Sequence, residues 1–362
     1  MSRRILDHDV RKGRGSASNP TGRFETLTTE KIDDGWYRED APPSPEETVL
    51  PDRARSIITS NDSPDVGFDI SINPYRGCAH GCVYCFARPT HSYLGLSPGL
   101  DFETRLFYKA DAVRLLEQEL SRPGYVCRPL ALGINTDGWQ PLERRLEVTR
   151  GILEVLAECR HPVSIVTKSA LIVRDLDLLA PMAREGLVSV MLSITTLQES
   201  LKRTLEPRTA SPQARLRTIE ALAHAGVPVG VLVAPVIPAL TDHELESILE
   251  SARSAGATRA GYVLLRLPHE LKGLFREWLA DHAPGRAEHV MSLIRQARGG
   301  RDYDARFGER MRGSGTYATL IGKRFELAVR RLGLADGAQR HELDSGKFRP
   351  PQASSPQLSL GL

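Results

Sequence analysis

Three of the five cysteines fall within eight residues, in the segment Ile72-Asn-Pro-Tyr-Arg-Gly-Cys78-Ala-His-Gly-Cys82-Val-Tyr-Cys85-Phe. Thiolates are the usual ligands of iron–sulfur clusters. Three at this spacing can reach three irons of one [4Fe–4S] cubane and leave the fourth iron open to a substrate or cofactor. Gly77 and Gly81 let the backbone fold tightly around such a cluster. The alternative is a zinc ion completed by His80 or His91, although a zinc knuckle normally brings four ligands in paired spacing. Cys127 and Cys159 stand apart, as buried inert thiols do. An odd, clustered set of cysteines does not form a disulfide framework.

The cysteine loop directly follows a predicted strand, the first of six: 68–72, 130–135, 163–167, 188–194, 228–234 and 259–265. Five helical stretches lie between them, at 110–120, 143–158, 172–184, 213–225 and 242–255, with apolar residues three and four apart. Gly186, Gly226 and Gly256 sit where helix C-termini need them. Alternating strands and helices imply a parallel sheet with right-handed crossovers. Six units fall short of a closed eight-fold barrel, so the predicted fold class is α/β, a partial (β/α)6 TIM-type barrel. Active groups should gather at the C-terminal ends of its strands.

Four regions are expected. Residues 1–65 form a largely irregular N-terminal extension that wraps the body in places. The barrel occupies 66–268. Residues 269–335 make a basic helical C-terminal region in which strands have stopped, and 336–362 a flexible tail. The 362 residues are 41% hydrophobic, enough for a full core, and no run of eighteen apolar residues predicts a membrane span. The N-terminus lacks the apolar stretch of a secretory signal. A cytoplasmic protein is expected.

Cys-x3-Cys-x2-Cys, with Tyr84 before the last cysteine and a β-strand before the loop, resembles the radical S-adenosylmethionine superfamily. The resemblance covers about residues 66–268. It implies a [4Fe–4S] cluster on Cys78, Cys82 and Cys85, with S-adenosylmethionine chelating the fourth iron. It also implies reductive cleavage to methionine and a 5′-deoxyadenosyl radical that takes a hydrogen atom from substrate. The protein positions that chemistry and excludes water.

Further site residues follow by position. Asp137 and Thr136, after the second strand, are candidates for the cofactor's amino group, or else form a turn and helix cap. Lys168, ending the third strand, could hold the cofactor carboxylate, or be solvated. Ser193 and Thr195 end the fourth strand and could meet the ribose, or bond to backbone. Arg208 could bind a carboxylate or phosphate, or make a structural ion pair. His80 and His91 flank the cluster without being needed as ligands. Trp139 and Trp278 suit the core.

A finer resemblance is to the spore photoproduct lyase, or DNA repair photolyase-like, branch. It rests on Ser71-Ile-Asn-Pro-Tyr-Arg-Gly-Cys78, Tyr84-Cys85-Phe86-Ala87-Arg88, Thr136-Asp137 with Gln140-Pro141 and Glu143, Thr167-Lys168-Ser169, and Glu206-Pro-Arg208. It implies a lyase-like radical enzyme acting on damaged or modified DNA, fed electrons by a reductant protein. The lyase uses a cysteine near the end of strand two to return a hydrogen atom. Here Asn135-Thr136-Asp137 stands in that region, and Cys127 lies too far upstream to replace it. Radical modification of RNA, a peptide or a small metabolite is the enzyme alternative. A nucleic-acid-binding protein with a structural cluster is the other.

Charge adds a possible DNA surface. Residues 295–331 hold ten basic and four acidic side chains, including Arg301, Arg306, Arg310, Arg312, Lys323 and Arg324. A solvated helical face gives the same pattern. The last six residues, Gln357-Leu-Ser-Leu-Gly-Leu362, resemble the peptide by which repair and replication proteins dock on the bacterial sliding clamp, but lack its usual aromatic.

Overall fold

A computed structural model describes residues 13–25, 46–336 and 343–351. Its strands are β1 (Thr48–Pro51), β2 (Ile58–Ser60), β3 (Ile70–Ile72), β4 (Tyr75–Arg76), β5 (Arg105–Tyr108), β6 (Leu130–Leu132), β7 (Val163–Thr167), β8 (Val188–Ser193), β9 (Val229–Val236), β10 (Arg259–Leu264) and β11 (Ala335–Asp336). The six expected strands are β3, β6, β7, β8, β9 and β10. They pair in that order, all in parallel. Antiparallel β2 extends one edge and β11 the other, and these two ends do not pair with each other. The sheet is therefore an unclosed partial barrel.

Helices pack against the parallel strands, as such strands require. The helix Val148–Glu158 buries Ile152, Leu153, Val155 and Leu156. The helix Pro212–His224 starts where Ser211 accepts the Ala214 N–H, with Pro212 at its first position. The stretch 143–158, expected as one helix, breaks at Glu147, whose φ is 51°. The cause is Glu143. Its buried carboxylate reaches forward to accept the Thr149 and Arg150 N–H groups at 3.0 and 3.1 Å, capping the second helix.

Three expectations need correction. The N-terminal extension is not wholly irregular, because β1 pairs with β5 and β2 with β3. Strands do not stop at 268, because β11 adds to β10. The tail is not uniformly loose either. Within it, Phe348 packs on Tyr125 and His161, and the Asp344 and Arg349 N–H groups donate to the Gly186 and Cys159 carbonyls. The hexapeptide 357–362 lies outside the described residues. No helix among the described residues is long and apolar enough to cross a membrane.

The C-terminal helices Leu271–His282 and Ala287–Gln296 bury Leu274, Phe275, Trp278 and Met291 against Val83 and Tyr84 of the cysteine loop. Trp139 and Trp278 are both core residues, their indole N–H groups bonded to Asp175 and to the Thr204 carbonyl.

Candidate active site

The cysteine loop hangs from a small second sheet of order β1–β5–β4. Beyond β4, Gly77 turns the chain with φ 74°, and a Cβ there would meet Leu106, His91 and the Phe102 carbonyl inside 3.0 Å. Backbone partners then fix the loop. Cys78 N–H donates to the Phe102 carbonyl at 2.9 Å, Ala79 N–H to Gln140 Oε1 at 2.8 Å, and Val83 N–H to the Leu205 carbonyl at 2.9 Å. Arg88, fully buried, donates to the Cys82 and Gly99 carbonyls at 2.8 Å and pairs with buried Glu103. The same Glu103 carboxylate accepts the Gly15 and Ser16 N–H groups at 3.0 and 2.9 Å. That strap presses so close that a Cβ on Gly15 would fall 1.7 Å from the Gly81 carbonyl oxygen.

Cys78, Cys82 and Cys85 are free thiols that line one cavity of about 260 Å³. Burial pushes all three thiols up, Cys82 to about 12. A metal centre reverses this and holds them as thiolates. No three His, Cys, Asp or Glu side chains among the described residues converge on a single metal ion. His91 lies behind Gly77 with Nε2 2.9 Å from the Arg105 carbonyl, and His80 Nδ1 lies 3.5 Å from Asp137. Three thiols that line one cavity without converging on a single ion fit a multi-iron cluster better than a zinc ion. The cavity beside them leaves room for a chelating cofactor.

The strand ends supply the polar rim. Asp137, Lys168 and Ser193 line the cavity, as does Asn135. Asp137 accepts from the Thr167 hydroxyl at 2.7 Å and from the Trp139 and Lys168 N–H groups at 2.9 and 2.8 Å. These bonds are those of the turn role, and Asp137 lines the cavity as well. Lys168 Nζ donates to the Ala234 carbonyl at 2.9 Å and lies 3.8 Å from Glu206. Glu206 is fully buried, bonded to Arg215, and takes the Tyr84 hydroxyl. Burial alone would raise its carboxyl, but Arg215 and Lys168 outweigh that and hold it below its ordinary range. Thr195 is buried between Tyr84 and the Ala234 carbonyl, in the backbone-bonded role.

Like Thr195, two further candidates stay out of the cavity. Thr136 is buried, its hydroxyl donating to the Tyr75 carbonyl at 2.9 Å. Arg208 pairs with Glu47, the structural ion pair. Sequence reasoning assigned no role to Asn135, Phe86, Arg266 or Met311, which all line the cavity. Arg266 stands two residues past β10, so the strand-end rule could have found it. Met311 comes from the four-residue helix Glu309–Arg312 far along the chain, and nothing local marks it.

The basic C-terminal side chains are mostly occupied. Arg306 pairs with Asp304, Arg310 with Asp65 and Arg324 with Glu246, while Arg312 lies over the Tyr262 ring at 4.0 Å.

Residues 72–252 match the Radical SAM superfamily. An uncharacterized protein of Mycobacterium tuberculosis is 42% identical over 231 residues, 63% of this chain and 68% of its own. One from Methanocaldococcus jannaschii is 27% identical over 54% of this chain and 70% of its own. Among solved structures, spore photoproduct lyase complexed with dinucleoside spore photoproduct superposes with a TM-score of 0.59 at 15% identity. That match covers 82% of this chain and 87% of the other. A lyase variant with bound AdoMet and the same dinucleoside gives 0.57 at 15%, over 82% and 87%. At those identities the likeness is one of fold. The family match takes in the cysteine loop and most of the strands whose ends surround it, and the chain belongs to the Radical SAM superfamily, whose enzymes use a [4Fe–4S] cluster and S-adenosylmethionine.

Proposed function

We propose that this radical SAM enzyme acts on damaged or modified DNA, in photoproduct lyase-like chemistry. The observation that carries the reading is the reach of the fold likeness. It extends over 82% of the chain, beyond the barrel alone, to a lyase solved with a dinucleoside photoproduct.

When bound, the cluster and S-adenosylmethionine supply one-electron cleavage and a hydrogen-abstracting radical. Cys78, Cys82 and Cys85 hold the cluster from the cavity lining. Lys168, Asp137 and Ser193 orient the cofactor's charged and hydroxyl groups from the ends of β7, β6 and β8. Ile134, Val166, Leu232 and Val263 keep the reacting space apolar and exclude water. The exit of β6 brings Gly133, Ile134 and Asn135 to the cavity and no cysteine, and Cys127 is not part of its lining. Hydrogen return therefore differs from the lyase's, and the lesion processed is a related one. A reductant protein feeds the cluster in the cytoplasm. Docking on a sliding clamp through 357–362 belongs to the same repair setting.

The test is anaerobic incubation of the reconstituted protein with irradiated DNA and S-adenosylmethionine, read by mass spectrometry. Loss or conversion of a DNA lesion, dependent on the cofactor, is expected. Cofactor cleavage with the DNA unchanged, and with RNA or peptide modified in parallel arms, would overturn the DNA assignment.

A further inference from the structure

The buried and half-buried arginines of this chain mostly face a carboxylate: Arg88 faces Glu103, Arg215 faces Glu206, and Arg310 faces Asp65. Arg266 breaks the pattern. It lines the cavity beside the cysteine loop, and its guanidinium lies 4.3 Å over the Phe86 ring, next to Cys85. Among the described residues it makes no ion pair. Burial lowers its affinity for a proton, opposed by Tyr303, Asp65 and Cys85 and helped by the charge of Arg310. Arg298, close enough to Arg266 to be affected by its charge, is buried and donates only to the Glu309, Leu264 and Leu265 carbonyls. Asp65 acts on Arg266, and Asp304 and Glu309 act on Arg298, but among the described residues no carboxylate pairs with either guanidinium, so the N–H donors of Arg266 remain available to an anion.

We infer that Arg266, oriented by its stack on Phe86, binds a phosphodiester of a nucleic-acid substrate and sets which nucleoside faces the cluster. The inference rests on the nucleic-acid reading above. A planar guanidinium presents a fork of N–H donors that matches two phosphate oxygens, and stacking on an aromatic ring leaves that edge free. Lys168 and Asp137, at the ends of β7 and β6, already offer charges for the amino acid end of the cofactor. Arg266 follows β10, at the far edge of the parallel strands, and lines the cavity together with Met311.

The cluster-loaded enzyme with S-adenosylmethionine is titrated with dithymidine monophosphate and with its uncharged methylphosphonate counterpart. The wild type should prefer the charged dinucleotide by roughly tenfold, as a charge-assisted bond to phosphate predicts. Arg266→Gln should erase the preference and Arg266→Lys keep part of it, with iron content and cofactor affinity unchanged. A preference that survives Arg266→Gln would overturn the inference, as would a defect confined to cofactor binding. Wild type binding both ligands equally would remove the role of Arg266 and leave the nucleic-acid reading standing. Binding of neither ligand would overturn the inference, and the nucleic-acid reading would then stand or fall on the irradiated-DNA incubation alone.

Discussion

The Thr167 hydroxyl donates to Asp137 Oδ1 at 2.7 Å, joining the exits of β6 and β7 at the cavity rim. Asp137 also takes the Trp139 and Lys168 N–H groups, so the strand ends and the candidate cofactor site share one carboxylate. Asp137→Asn turns an NH2 toward an N–H donor. It should cost about 1–3 kcal/mol in a denaturant melt. Cofactor affinity of the cluster-loaded protein, read by calorimetry, should fall with it.

Alanine at Cys78, Cys82 or Cys85 should each abolish stable cluster incorporation, seen as lost iron and lost visible absorption after anaerobic reconstitution. Cys127→Ser and Cys159→Ala should keep both, because neither lines the cavity. Retention of a full cluster by any of the first three variants would refute the assignment.

Gly15→Ala should loosen the cysteine loop, because the added carbon would lie 1.7 Å from the Gly81 carbonyl oxygen. The strap must then lift from Glu103. Loss of about 1–3 kcal/mol is expected from such overpacking, with faster cluster loss in air. Gly285→Ala, where nothing lies within 4 Å of the new carbon, is the control and should change neither.

Arg215→Met would leave buried Glu206 with only the longer contact to Lys168, at 3.8 Å, as a counter-charge. The expected cost is about 3–5 kcal/mol, measured by denaturant titration. Adding Glu206→Gln removes the stranded charge and should recover a large part of it. A double variant as unstable as the single one would show that the pair's charge is not the cause.

Burial lowers the His161 imidazole to about 4 from its ordinary 6.5, against the opposing bond to the Pro162 carbonyl. Neutral His161 accepts from the Tyr125 hydroxyl through Nε2 at 2.8 Å while Nδ1 faces the Pro162 carbonyl at 3.0 Å. The unfolded chain therefore binds a proton that the folded one refuses. Its contribution is complete above pH 6.5 and disappears as pH falls toward and through 4, a loss on the order of 3 kcal/mol. His161→Gln should flatten stability across that window. An unaltered pH profile would reject this source.

The six parallel strands were legible because each is a short apolar run followed by a helix with three-and-four spacing. The cysteine loop was legible because its chemistry is local. Asp137, Lys168 and Ser193 could be placed by the strand-end rule alone. The break at Glu147 was not, because a helical pattern runs through it and only the forward reach of buried Glu143 ends the first helix. Strands β1, β4 and β5 escaped notice because each is two to four residues long and stabilised by partners distant in sequence. The basic C-terminal segment misled for the opposite reason. Its charge is real, but Asp65 and Glu246, which neutralise Arg310 and Arg324, are supplied from far up the chain.

The ends of the large sheet are not laced to each other by backbone. Arg310, in the segment beside β10, instead reaches the β2–β3 connection, where it bonds Ser63 and Asp65. A wall completed by a side-chain clasp rests on one ion pair, so a single substitution at Arg310 can loosen it while every β-ladder stays intact.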